Sequence, residues 1–281
     1  MNFRNTSVAT LCLLFTALTF SPAPAALAQH EAGQIQGPSK YLFLNNVELK
    51  PNQDGPYAKL EADEVQALSA ANAPGHYLGM WAITGPNHVI FTSGFDSFAE
   101  AQKNHETIWS NAKLAATLNA DNAAEAPLIA STHSSIYEYE PDLSLNAPLD
   151  LSKQRFMRIL LFHVRNGHDQ EFEHVVKLFA KAYQSSIPEA RWAMFEKIYG
   201  EGSDNIYILV TPMESLSVVD DMHANGKKFR TAVGEDQLAV LRKALDASVK
   251  SSEADLFAIG SKISYVPQSW ITSSPDFWGK K

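Results

Sequence analysis

Tyr41-Leu-Phe-Leu-Asn-Asn-Val-Glu-Leu49 and Arg155-Phe-Met-Arg-Ile-Leu-Leu-Phe-His-Val164 read as one strand written twice. Each run is apolar and extended, and each ends in turn-forming residues, Lys50-Pro51-Asn52 and Arg165-Asn166-Gly167-His168. A helical pattern follows both. In the second copy Phe172, Val175, Val176, Phe179 and Tyr183 recur at helical spacing; the first copy offers a weaker set, Tyr57, Leu60, Val65 and Leu68.

Working outward, each helix is followed by two strands and a turn. Tyr77 to Thr84, Gly85-Pro86-Asn87 and His88 to Ser93 form the first hairpin; Arg191 to Tyr199, residues 200–204 and Asn205 to Thr211 form the second. Both second strands lead into a helix start, with Ser97-Phe-Ala-Glu100 in capping-box form and Glu214-Ser215-Leu216 in the same place. A closing strand ends each copy: Ile129 to Tyr139 before Glu140-Pro141, and Leu256 to Tyr265 before Val266-Pro267. The order β-α-β-β-α-β, found twice, is the split ferredoxin-like arrangement. The expected fold class is α+β, with two tandem ferredoxin-like units packed as an intramolecular pseudo-dimeric α+β barrel. Residues 40–141 form the first unit, 142–154 the connector, 155–267 the second unit and 268–281 a C-terminal tail. Strands apolar on both sides, as at Ile159 to Phe162, predict that neither sheet face meets water.

With Thr211-Pro-Met-Glu-Ser-Leu216 and the closing Ile263-Ser-Tyr-Val-Pro-Gln-Ser-Trp270, the tandem pattern resembles the dimeric α+β barrel superfamily. Within it, the chain is similar to secreted bacterial proteins with two such units. That superfamily includes antibiotic-biosynthesis monooxygenases, chlorite dismutases and dye-decolourising peroxidases. The resemblance implies a fold and leaves the chemistry open.

The first 28 residues read as an address. Arg4 supplies a positive start, Leu11 to Phe20 a short apolar run, and Ala26-Leu27-Ala28 a cleavage site, so residues 1–28 are a signal peptide and 29–39 a flexible leader. Pro22 and Pro24 exclude a core helix there. The single cysteine, Cys12, lies inside the apolar run, so the mature chain has no thiol for disulfides, metal binding or nucleophilic catalysis. A secreted or periplasmic protein is expected, with no membrane span. The formal charge of -8 argues against a nucleic-acid partner.

No nucleophile elbow, phosphate loop, dinucleotide fingerprint or paired-histidine zinc helix is present. No metal and no cofactor are predicted, haem being the alternative. His105 and His223 stand at equivalent places in the two copies, nine residues after Asp96 and Glu214. Some haem-degrading relatives carry their iron-ligating histidine on that helix, beside a first-strand asparagine and a tryptophan. The resemblance therefore groups Asn45, Trp81 and His105; the ordinary reading of these histidines is helix surface. The polar residues Asn46, Thr92, Ser131, His133 and Ser135 interrupt the strands of the first unit, and buried polar groups need partners. They place a ligand pocket in unit one, with Asn45, Trp81, His105 and His133 as candidates. In unit two the candidates are Arg158, His163, Glu196 and His223, with Arg158 and Glu196 as an internal pair. Trp192, Phe195, Tyr199 and Tyr207 are assigned to core packing. Trp270, Phe277 and Trp278 are expected to lie back on the barrel or to mark a partner surface. The leading function is binding a small molecule or a protein partner. The alternatives are a cofactor-light or haem-dependent monooxygenase and a structural, oligomerising module, with a homo-oligomer possible in each.

Overall fold

A computed structural model describes residues 37–147 and 150–279. The signal peptide 1–28 and most of the 29–39 leader therefore lie outside the described residues. In chain order the elements are β1 (Tyr41–Leu49), α1 (Asp54–Ala70), β2 (Leu78–Ala82), β3 (His88–Phe95), α2 (Phe98–Ser110), α3 (Ala112–Glu125) and β4 (Ile129–Tyr139). The same succession then returns as β5 (Phe156–Val164), α4 (Asp169–Ser186), β6 (Ala193–Gly200), β7 (Asn205–Met213), α5 (Ser217–Val233), α6 (Glu235–Ser248) and β8 (Val249–Ile259). Two short helices, α7 (Gln268–Ser273) and α8 (Pro275–Trp278), end the chain.

The strands form one closed antiparallel barrel in the order β1-β3-β2-β8-β5-β7-β6-β4. The halves meet at two seams, β2 against β8 and β4 against β6. Register assigns alternate residues to the two faces. Leu44, Met80, Ile90, Tyr137, Ile159, Phe195, Ile208 and Phe257 fill the barrel interior. Val47, Val89 and Phe91 point the other way, against α1, α2 and α3; Phe162 and Tyr207 do so in the second half, against α4.

Several expectations need correction. The helix after each third strand is two helices. Asn111 breaks the first pair, its side chain accepting from the Leu114 N–H at 3.2 Å, and Gly234, at φ 80°, breaks the second. The last strand is Val249–Ile259, because Ser251, Ser252, Glu253 and Ala254 pair with β5 although they are exposed and mostly polar. That stretch of sheet does meet water. Tyr199 is 61% exposed and is no core residue.

Beyond each closing strand the chain repeats one staple. Ser144 Oγ accepts from the Met194 N–H and donates to the Glu140 carbonyl; Ser264 Oγ accepts from the Gly79 N–H and donates to the Gly260 carbonyl. Leu145 then bridges Trp192, and Tyr265 bridges Tyr77. Tyr265 thus corresponds to Leu145, not to Tyr139. Gly79 admits no side chain, since a Cβ there would collide with the Ile263 carbonyl. The tail lies back on one end of the barrel: Trp278 is 5% exposed within the interior cluster, and its Nε1 donates to the Ser152 carbonyl at 2.7 Å.

Candidate functional site

Between α1, α3 and the outer face of the first sheet lies a layer that apolar packing alone does not explain. Helix α1 turns Tyr57, Glu61, Glu64 and Leu68 inward, a spacing that places all four on one helical face. Helix α3 adds Glu125 from its last position. Glu61 and Glu64 are fully buried, and Glu125 is 1% exposed. Phe91 forms the floor, with the Tyr57 and Tyr77 rings edge-on at 6.5 and 5.9 Å. The Tyr77 hydroxyl donates to Glu64 Oε1 at the long distance of 3.5 Å.

Both carboxylate oxygens of Glu61 and of Glu125 are buried without a hydrogen-bond partner, as is the Tyr57 hydroxyl. Directly opposite Phe91 on β1, Asn45 is wholly buried. Its Oδ1 accepts from the Ser134 hydroxyl at 2.8 Å, while its Nδ2 has no partner. Asp121 stands at the rim of α3, half-buried, with Oδ2 also unpaired.

Burial without a counter-charge decides how these groups ionise. It pushes the Glu125 carboxyl up to about 9, with Glu64 and Asp121 adding repulsion. Glu61 is likewise raised well above the usual carboxylate range, first by burial and then by Glu125 and Glu64. Tyr57 and Tyr77 are raised by burial and by the same acids. At neutral pH Glu61 and Glu125 therefore hold their protons. Among the described residues no group of three or more His, Cys, Asp or Glu is arranged to hold a metal ion.

Only some of the residues singled out in the sequence meet here. Asn45 does. Trp81, paired with Val89 and Ala258, packs at the edge of this layer from the same face. His105 is half-buried on α2, its ring 6.0 Å from Trp109, and burial lowers its pKa. His133 belongs elsewhere. It pairs with Asn46 while Asn45 pairs with Ser134, so it lies on the inner face, exposed at the barrel mouth with Glu201 at 3.1 Å.

In the second half, His163 also belongs to the mouth, 3.2 Å from Asp204, and His223 is exposed on α5. Arg158 and Glu196 do not pair. Arg158 sits opposite Thr211, whereas Glu196 sits opposite Tyr207, at the other end of β7. Glu196 is raised by burial, while the nearby Tyr207 hydroxyl holds it down.

No family model matches the chain, and no curated protein matches it. Solved structures do. A "putative monooxygenase" from Fusobacterium nucleatum superposes with a TM-score of 0.51 at 11% identity, over 78% of this chain and 91% of that one. An anthrone oxidase-like protein gives a TM-score of 0.51 at 12% identity, over 79% and 92%. This is the dimeric α+β barrel fold. Within that barrel, a haem would need an apolar slot beneath the helices and a buried axial ligand. The first half fills that space with Tyr57, Phe91, Leu118 and protonated acids, and His105 stands at its rim. The residues of the first half do not fit haem.

Proposed function

We propose that this barrel is a binding protein that takes a small organic cation between α1, α3 and the first sheet. On this reading its halves are tandem ferredoxin-like units, so one chain builds what two subunits would otherwise build. The observation that carries the reading is Glu61, a wholly buried carboxyl set beside Glu125, Glu64 and the Tyr57 hydroxyl, with neither oxygen in a hydrogen bond of good geometry. Each unpaired buried polar group costs about 1–3 kcal/mol. An ammonium group donates up to three hydrogen bonds and supplies the charge that the site lacks. It would replace the proton that Glu125 otherwise holds to about pH 9. Asn45 and Tyr57 then orient the bound group, and the rim at Asp121 is the entrance.

Calorimetric titration with benzylammonium at pH 8, in two buffers of different ionisation enthalpy, tests this. Saturable binding with proton release is expected, and Glu61→Val should abolish it while raising the melting temperature. Absence of saturable binding, or equal binding by Glu61→Val, overturns the proposal.

The protonated Glu125 also favours a second reading, in line with the names of the two structural neighbours. Once ionised, a dry carboxylate with a raised pKa is a strong base. It would take the acidic C–H proton of a substrate such as anthrone, whose carbanion then reacts with dioxygen without a cofactor. Oxygen uptake with anthrone that disappears in Glu125→Gln would support this; uptake unchanged in that variant rules it out.

Export, with cleavage after Ala28, belongs to the same proposal. N-terminal sequencing of the protein recovered from cells should begin at Gln29, and Met1 on a soluble folded product refutes it.

A further inference from the structure

The second half carries a different anomaly at the corresponding level of its own sheet. Arg158 points from β5 to the outer face, opposite Thr211 and Leu256. It is half-buried, and it makes no ion pair or hydrogen bond with any described residue. Its neighbours are Tyr183, in the last turns of α4, and beyond it Arg230 on α5; both cations act on the Tyr183 hydroxyl. The Tyr183 ring stacks on Phe229 with centroids 4.2 Å apart and meets Trp192 edge-on at 5.5 Å. One wall is therefore aromatic and the polar groups are an arginine fork, a phenol and a second arginine.

Nothing in packing requires this. The equivalent strand position of the first half is Phe43, which closes the space under α2 with Phe95 and Ala101. A guanidinium withdrawn from water normally has an acid partner, because desolvation is otherwise uncompensated. In this chain acids outnumber bases, 31 to 23, yet none has been placed beside Arg158. Helix α5 runs 17 residues against 13 for α2, and its extra length delivers Phe229 and Arg230 to this place.

We propose that Arg158, Tyr183 and Arg230 form a binding site for a small carboxylate with an apolar body. The carboxylate takes the Arg158 fork in bidentate fashion, the Tyr183 hydroxyl donates to it, and Arg230 adds charge from the rim. Its apolar part lies along Tyr183 and Phe229. The site is separate from the acidic layer of the first half and stands whether or not that layer binds a cation.

Benzoate and acetate are the probes, with inorganic phosphate at matched ionic strength as the competing anion, each followed by the melting temperature and by the tyrosine and tryptophan signals of the full chain. Benzoate should bind saturably and more tightly than acetate. Arg158→Gln should weaken benzoate at least tenfold without lowering the melting temperature of the free protein, and Arg230→Gln should weaken it about threefold. Should Arg158→Gln fail to fold, Tyr183→Phe serves, with a loss of threefold or more expected. Equal responses to benzoate and phosphate, or benzoate binding unchanged in these variants, overturn the proposal.

Discussion

Helix α1 presents Tyr57, Glu61, Glu64 and Leu68 to its sheet; helix α4 presents Phe172, Val176, Phe179 and Tyr183 from the corresponding positions, 115 residues on. At the ends of α3 and α6 stand Glu125 and Ser248, and Ser248 returns its hydroxyl to its own helix at Ala244 and Leu245. Beneath them, Asn45 corresponds to Leu160. At the positions of Glu61, Glu64, Glu125 and Asn45 the second half has Val176, Phe179, a self-satisfied serine and Leu160, so the fold can close these positions without acids. The acids of the first half are therefore dispensable for the architecture. Groups that cost stability without serving the fold are where a functional role is to be sought.

The sharpest way to test this contrast is pH. Glu61 and Glu125 have folded-state pKa values above the unfolded one, so folding takes up protons. The contribution of Glu125 is fully present below about pH 4.5 and is lost as pH rises toward about 9, and that of Glu61 is lost in the same direction. Glu125→Gln should match the wild type at pH 4.5. Above that it should gain on it by up to about 1.4 kcal/mol per pH unit, read from denaturant melts at pH 4.5, 6 and 8. An advantage that does not grow with pH would mean that these acids are already ionised.

Next in size is the reverse exchange. Val176→Glu places a carboxyl against Phe172 and Tyr207, near Glu173 and Glu196 and without a counter-charge, and should cost roughly 3–5 kcal/mol at pH 7. Chemical denaturation measures it, and a cost below 1 kcal/mol would show that the second half can hydrate an acid as well as the first. A smaller and symmetric effect is expected at the two staples. Ser144→Ala and Ser264→Ala each remove the acceptor of one strand N–H and should cost a similar ~1–2 kcal/mol. Clearly unequal costs would show that the halves close differently. Least of all, His133→Ala should change stability by under about 0.5 kcal/mol, because its pair with Glu201 is solvent-exposed.

The strands that begin each half were legible to the residue, or within one, because Tyr41–Leu49 and Phe156–Val164 are continuous apolar runs bounded by turn residues. Helix α1 was legible as a helix and, through Tyr57 and Leu68, in part of its facing. Leu60 and Val65 were set beside them; between Tyr57 and Leu68 the wholly buried positions are Glu61 and Glu64, which hydropathy reads as solvent-facing. The signal that was available is positional: Tyr57, Glu61, Glu64 and Leu68 share the frame of Phe172, Val176, Phe179 and Tyr183. The polar start of β8 hid that strand, since Ser251, Ser252, Glu253 and Ala254 are held by backbone pairing to β5 rather than by burial. His133 was grouped with Asn45 because both are polar residues on adjacent strands, and only register separates their faces.

The two seams bear on how the barrel is made. Without the second half, the sheet β4-β1-β3-β2 has two open edges, and β2 receives its partner only when residues near Ile259 arrive. The Gly79 N–H waits for Ser264, 185 residues downstream. Such distant pairing is slow, and open edges invite intermolecular strand addition. A ribosome releasing this chain from its N-terminus therefore cannot deliver a finished first half. Closure waits for β8, and any truncation before it leaves two sticky margins, β2 and β5, rather than a smaller stable protein.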